Sequence, residues 1–266
     1  MSDLAIIILA AGKGTRMKSS LPKVLHPIGG KPMLHHVLDC TAALKPAKTV
    51  VVLSPDAEEI IASVKKYAPE AAIAIQEKAL GTAHAVMAAE KALKGHKGSV
   101  LVCYGDTPFI APDTLKSLVA CLKKSTVAVL GFEPRDPADY GRLLTNKSGD
   151  LEAIVETREA SPAVKKIGLC NSGVMAIRGG LAGQLLGKIK NHNAKKEYYL
   201  TDIVAIARNS ALKASVVKAA EAEVLGVNSQ SQLADAENLL QQKLRRRAME
   251  NGVRMIDPAT VYLRAD

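Results

Sequence analysis

The sequence predicts an α/β fold, a mixed sheet flanked by helices, on three observations. Apolar runs of strand length alternate with helix-length segments, the apolar residues are almost wholly aliphatic, and the first apolar run, Leu4 to Ile8, leads straight into a glycine loop. Trp is absent and Phe occurs only twice, which suits parallel strands built from Val, Ile and Leu. At 266 residues and 48% hydrophobic content the chain can bury a large core, as one α/β domain or one domain with an appendage.

The glycine loop runs from Leu9 to Lys23, LAAGKGTRMKSSLPK. A strand that ends in Ala10-Ala11-Gly12-Lys13-Gly14 delivers that loop to the carboxyl edge of a sheet. Gly12 and Gly14 bring no side chains between a phosphate and backbone N–H groups, and Arg16 and Lys23 add positive charge on either side. Phosphoryl binding and transfer is the chemistry implied. A Walker A loop is excluded, because no Gly-Lys-Ser/Thr follows the first Gly at the required spacing. A dinucleotide fingerprint is excluded too: its third glycine position holds Met17, and the stretch Pro27 to Lys31 has no carboxylate for a ribose. A plain tight turn would not need Lys13, Arg16, Lys18 and Lys23 converging on it.

The net charge of +10 calls for an anionic partner, which phosphorylated metabolites satisfy. Without aromatic residues interleaved among the basic ones, a nucleic-acid partner is not indicated. Cys40, Cys103, Cys121 and Cys170 are scattered, with no C-x-x-C pair and no signal peptide, and read as reduced, mostly buried thiols of a cytoplasmic protein. No apolar run approaches the roughly 18 residues of a membrane span.

After the loop, Pro22 and Pro27 keep the chain extended, Gly29-Gly30 turns it, and Pro32 opens a helix from Met33 to about Leu44. His35 and His36 are adjacent and cannot share a helix face, so with His26 they are assigned surface or packing roles rather than a metal site. Thr49 to Leu53 is a second strand, Asp56 to Tyr67 a helix with Ser54 or Asp56 as its cap, and Ala71 to Ile75 a third strand ending at Gln76. Gln76 can donate and accept hydrogen bonds, as the imide edge of uracil requires. Gly81 and Thr82 open the next helix with an anion-friendly amino end.

Ser99 to Tyr104 is the clearest central strand, and Gly105-Asp106 follows it into the crevice. Asp106 is a candidate Mg²⁺ ligand rather than a cap for the helix near Pro112, where Asp113 is better placed. Beyond the strand Thr126 to Phe132 come polar-tipped turns among short strands, a partly antiparallel half that covers the crevice. There Glu156 and Asn171 offer acceptors and donors for sugar hydroxyls. Leu181 to Ile189 and Asp202 to Asn209 are helices, joined through Asn193-Ala194-Lys195, and Ser215 to Ala219 is a strand. Asn228 ends a further strand as Asp106 does and is a candidate second oxygen ligand. Ser229 caps a last helix with Leu233, Ala236, Leu240 and Leu244 inward, and Arg245, Arg246 and Arg247 form a solvated face at its end.

The segments LAAGKGTRMKSSLPKVLHPIGGKPML, Gln76 with LGTAHA, YGDTPF, YGR, IVE, CNSGV, KKEYYLTDI and EVLGVN together resemble, in order, the motifs of N-acetylglucosamine-1-phosphate uridyltransferases. That resemblance spans nearly the whole chain. It implies a Rossmann-like nucleotide-diphospho-sugar transferase fold of GT-A type, with a nucleotide-binding half over about 1–132 and a sugar-binding half over about 133–228. Residues 229–266 would then be a C-terminal helix and the start of a connection. By the same resemblance Leu9, Ala10, Ala11, Gly12, Gly14, Lys23, Gln76, Gly81 and Thr82 hold the nucleotide, and Arg16 and Lys23 act on the phosphates. Tyr104, Gly105, Gly141, Glu156 and Asn171 surround the sugar, and Asp106 and Asn228 bind Mg²⁺. The implied reaction takes UTP and N-acetylglucosamine 1-phosphate to UDP-N-acetylglucosamine and pyrophosphate by in-line attack, with no covalent intermediate and no general base.

Three departures from the family pattern are local: Leu225 stands where an E-G-V-N acid is usual, Ala83 replaces a glycine, and Ser172 replaces a threonine. A larger one is that the bifunctional enzymes continue into a β-helix of hexapeptide repeats, which carries acetyltransferase activity and builds a trimer, and these 266 residues contain no such repeat. The sugar preference and oligomeric state are therefore open. The rival readings are a sister sugar nucleotidyltransferase and a non-catalytic regulatory subunit. Retention of Arg16, Lys23, Asp106 and Asn228 together argues against the second.

Overall fold

A computed structural model describes residues 4–137, 139–193 and 195–265. The ends of the domain reading at 1–3 and 266, and Ala194 in the connecting segment, lie outside the described residues. In chain order the first half contains strand β1 (Leu4–Leu9), a hairpin of β2 (Pro27–Ile28) and β3 (Lys31–Pro32), helix α1 (Met33–Ala42), β4 (Lys48–Leu53), α2 (Glu58–Tyr67), β5 (Ala72–Ile75), α3 (Thr82–Ala88), β6 (Ser99–Tyr104), α4 (Pro112–Cys121) and β7 (Val127–Phe132). The second half adds β8 (Arg142–Thr145), β9 (Leu151–Val155), α5 (Pro162–Lys165), β10 (Cys170–Ile177), α6 (Ala182–Leu186), α7 (Asp202–Asn209), β11 (Ala214–Lys218), α8 (Glu221–Val224) and α9 (Gln230–Glu250).

The main sheet has the order β11-β7-β10-β6-β1-β4-β5, with β8 and β9 joined through β10. Strands β6, β1, β4 and β5 run parallel, and β10 runs against both β6 and β7. The mixed sheet and the antiparallel second half predicted from the sequence are both present. Every residue of β1 is buried, because helices cover both faces of the sheet at its centre. Alternate residues feed two cores: Ile6, Ile8, Leu101 and Leu130 face α1, α2 and α4, while Ile7, Val52, Val102 and Val129 face α3, α6 and α7. A third, smaller cluster of Ile28, Met33, Val227 and Ala236 seats α9 on the hairpin.

Several local expectations are corrected. Pro32 closes β3 and precedes α1 rather than opening it, and α2 starts at Glu58, with no side-chain cap from Ser54 or Asp56. Asp113 does not cap α4: it pairs with Lys116, and Glu223 of α8 accepts from Ala111 N at 3.1 Å and Thr114 Oγ1 at 2.6 Å at that helix end. Asn228 ends no strand, since α8 occupies Glu221–Val224 and irregular chain follows it. Ser229 does cap α9, accepting from Gln232 N. Arg245 is not simply solvated, because its Nη1 donates to Pro258 O at 2.6 Å and helps fold the terminal segment back along α9. The histidines take packing roles: His35 stacks on Tyr67 at 3.8 Å, His36 Nε2 lies 2.9 Å from Ile28 O, and His26 is buried. All four cysteines are free thiols, and burial pushes the Cys40 thiol up to about 12. Among the described residues no helix is long and apolar enough to cross a membrane.

Candidate active site

Register brings the site together. Leu9 pairs with both Val52 and Tyr104, and Leu53 pairs with Ile75, so the carboxyl ends of four parallel strands lie abreast. The residues that leave those ends are Ala10 to Gly12, Gln76 and Gly105-Asp106, and they share one crevice, as open α/β sheets require. A cavity of about 690 Å³ opens there, from Gly12, Gln76, Gly81 and Thr82 past Lys23 and Asp106 to Glu156 and Tyr199.

Gln76 is buried, not a surface glutamine, and its Nε2 donates to Gly81 O at 3.1 Å and meets His84 Nδ1 at 3.2 Å. The Gly81 carbonyl can only accept, which fixes the amide orientation and leaves Oε1 as the atom offered to a ligand. Gly81 has φ +105°, and a Cβ there would stand 2.6 Å from Tyr198 O and 2.8 Å from Tyr198 N. Only glycine fits, because Tyr198 bonds both sides of it, from its N–H to Leu80 O and from Ala83 N–H to its carbonyl. Thr82 Oγ1 accepts from Leu200 N at 3.0 Å, so the segment Tyr198 to Thr201 is strapped across the amino end of α3.

Lys23 lies in a short turn against Gly14, whose missing side chain lets the loop pack on the base of the lysine stem. Its Nζ donates to Asp106 Oδ2 and, at 3.0 Å, to Asn228 Oδ1. Asn228 reaches this point because Val227 N donates to Asp106 O at 3.0 Å and Asn228 N donates to Gln232 Oε1 at 2.8 Å. Gln230 Nε2 donates to Met17 O at 3.0 Å and ties the same segment to the glycine loop. A carboxylate and an amide oxygen converging on one cation are hard donors of the kind Mg²⁺ takes, with phosphate and water oxygens completing its shell. The residues fit that ion. Among the described residues no group of three His, Cys, Asp or Glu could hold a metal instead.

On the other half, Asn171 N donates to Gly141 O at 2.8 Å and Asn171 Oδ1 accepts from Gly173 N at 2.9 Å. Gly173 packs against the Tyr104 ring, where a Cβ would come within 2.7 Å. The loop before Gly141 is held from behind by Tyr140, edge-on to Phe132 at 4.8 Å, and by buried Arg142, which donates to the carbonyls of Pro137, Tyr140 and Lys165. Glu156 accepts from Thr201 Oγ1 at 3.3 Å. Burial raises the Glu156 carboxyl above its ordinary range, and Glu159 raises it further, while the Thr201 bond and Lys195 lower it. Burial also raises the Tyr104 phenol, which stays neutral.

Of the residues singled out from the sequence, Leu9, Ala10, Ala11, Gly12, Lys23, Gln76, Gly81, Thr82, Tyr104, Asp106 and Glu156 line the cavity, and Asn228 meets it through Lys23. Gly14, Gly105, Gly141 and Asn171 are off the lining but next to it: Gly14 meets Lys23, Gly105 meets Ala10 and Val24, Gly141 lies against Glu156, and Asn171 N donates to Gly141 O. Arg16 is exposed at the loop tip, off the lining. Sequence reasoning missed Arg158, Glu159, Lys195, Glu197 and Tyr199, which complete the wall. The charged residues just after IVE and within KKEYYLTDI are the available signal, but charge in turns is usually solvent-facing.

Comparison with known proteins agrees with this geometry. Residues 6–247 match the MobA-like NTP transferase domain. Three relatives, each named bifunctional protein GlmU, are similar: one from Rhodospirillum rubrum is 50% identical over 269 residues, one from Xanthobacter autotrophicus 52% over 270, and one from Paracoccus denitrificans 49% over 263. The alignments take in 99% to 100% of this chain but 58% to 60% of the relatives, so it spans about three fifths of their length. A match over this much of the sequence, laid on a crevice that gathers a glycine loop, a lysine and two oxygen donors, shows that the chain belongs to the MobA-like NTP transferase family and is a nucleotidyltransferase.

Proposed function

We propose that the chain transfers UMP from UTP to N-acetylglucosamine 1-phosphate, giving UDP-N-acetylglucosamine and pyrophosphate. The observation that carries this is one continuous cavity with Gln76 and the glycine loop at one end and Glu156 at the other, with Lys23 and Asp106 between them. Gln76 Oε1 accepts from the uracil imide N–H, and the Gly81–Thr82 helix end lies beside it. The backbone of Ala10 to Gly12 and the Lys23 ammonium receive the triphosphate. Glu156, and Asn171 beside Gly141, take the sugar hydroxyls. Similarity to proteins named GlmU supports this pairing of donor and acceptor.

The sugar phosphate is already ionised at neutral pH, so it attacks the α-phosphorus in line without a general base, and none of the six histidines is needed for it. Mg²⁺, held by Asp106 and Asn228, would supply charge neutralisation between the two phosphates. The cavity walls align the reactants and Lys23 offsets the charge that develops on the departing pyrophosphate. The test is pyrophosphate release from UTP and Mg²⁺ with N-acetylglucosamine 1-phosphate and glucose 1-phosphate side by side. Strong preference for the acetylated sugar is the expected result. Release with glucose 1-phosphate alone, or with neither, overturns the proposal.

A further inference from the structure

We infer that Lys23 is a resident counter-cation for the Asp106 and Asn228 oxygens, and that it must be drawn off before a divalent metal can take them, so that metal and triphosphate enter as a coupled pair. The inference rests on the proposed reaction, because it is the phosphates of the nucleotide that draw the ammonium away.

The contacts make the conflict direct. Lys23 Nζ donates to Asp106 Oδ2 and to Asn228 Oδ1, the two oxygens the metal needs. The Lys23 and Asp106 side chains are only 12% and 18% exposed, so water screens neither charge well. A dication placed on those oxygens with the ammonium still between them would meet a like charge at contact distance. Metal binding to the protein without nucleotide therefore costs two charge-assisted hydrogen bonds and a repulsion.

With a triphosphate in the cavity the balance reverses. The root of the Lys23 stem is pinned by the glycine loop, since a Cβ at Gly14 would lie 2.6 Å from Lys23 Cβ. Movement is thus confined to the outer methylenes, and a lysine head on its four-carbon stem can turn from one anion to another. The backbone of Ala10 to Gly12 lines the same cavity and would place phosphate oxygens within that turn. The ammonium exchanges a carboxylate for a phosphate, and the two oxygens are released to the metal. By linkage, nucleotide strengthens metal binding by the same factor that metal strengthens nucleotide binding.

Electron paramagnetic resonance titration of the whole chain with Mn²⁺, with and without α,β-methylene-UTP, tests this. Without nucleotide, wild type should bind Mn²⁺ about tenfold or more weakly than Lys23→Met, within the usual range of coupling between sites. Adding the analogue should close most of that gap by strengthening wild type more than Lys23→Met. Lys23→Gln, which keeps a donor near Asp106, should fall between the two and serves if Lys23→Met melts early by circular dichroism. Equal Mn²⁺ affinity of wild type and the folded variants without nucleotide overturns the inference while leaving the reaction untouched. Adding Asp106→Ala to Lys23→Met should abolish the gained binding. Binding that survives that change would move the metal elsewhere and overturn the metal assignment itself.

Discussion

The backbone N–H of Val227 donates to the carbonyl of Asp106 at 3.0 Å, which locks two segments more than a hundred residues apart in sequence side by side. Asn228 follows Val227, so its side-chain oxygen is delivered next to the Asp106 carboxylate. Glu223 adds a second tie by accepting from Ala111 N and Thr114 Oγ1 at the amino end of α4.

Replacing Glu223 by Ala should therefore do two things at once. Loss of a cap at α4 should cost about 1 kcal/mol of stability, read as a lower urea midpoint. The Asn228 segment should also loosen, and nucleotide-dependent Mn²⁺ affinity should fall while UTP binding in EDTA is retained. Unchanged metal affinity would show that the Val227, Asn228 and Gln230 bonds hold the pair without Glu223.

Asp106→Ala should lower Mg²⁺-dependent pyrophosphate release by about a thousandfold or more, equivalent to about 4 kcal/mol of transition-state stabilisation. The fold should survive, because the side chain stands in the crevice and not in either core. Near-normal turnover in the folded variant would refute the metal assignment.

Gly81→Ala puts a Cβ into the Tyr198 backbone and strains a φ of +105°. The expected cost is about 1–3 kcal/mol. The strap should lift from α3, raising the KM for UTP more than that for the sugar phosphate. Equal increases in both would mean that the strap does not belong to the nucleotide end.

Glu156 allows a prediction in pH. Burial favours its neutral form in the folded chain, so it contributes stability below its unfolded pKa, and that contribution is lost as pH rises through the raised folded value. Glu156→Gln should melt higher than wild type at neutral pH, with the advantage vanishing on acidification below about pH 4.3. The same substitution should weaken sugar-phosphate binding at neutral pH. Wild-type affinity should itself fall on acidification before ordinary carboxylates protonate, and a variant that binds the sugar phosphate normally would remove Glu156 from the site.

Much of the parallel half was legible because its signals are local. An apolar run buried on both faces and followed by glycine or a carboxylate marks a strand end, and β1, β6 and Asp106 lie where those signals put them. A strand end at Asn228 is the wrong local reason to place it beside Asp106: the chain there is irregular, and its position depends on the distant Asp106 carbonyl. The role of Glu223 was hidden in the same way, by bonds that span 109 and 112 residues. Arg245 read as solvated because helix periodicity says nothing about a terminal segment folding back onto it.

Strand β10 runs against its neighbours, so its first residues, not its last, reach the edge where the parallel strands finish. On the proposed reaction, the nucleotide would then be met at strand ends and the sugar phosphate at a strand beginning, fed by the excursion between β7 and β10. Changes of length or sequence in that excursion can alter which acceptor is admitted while the glycine loop keeps its place. A lineage could in this way exchange one sugar for another without re-inventing how it handles a nucleotide.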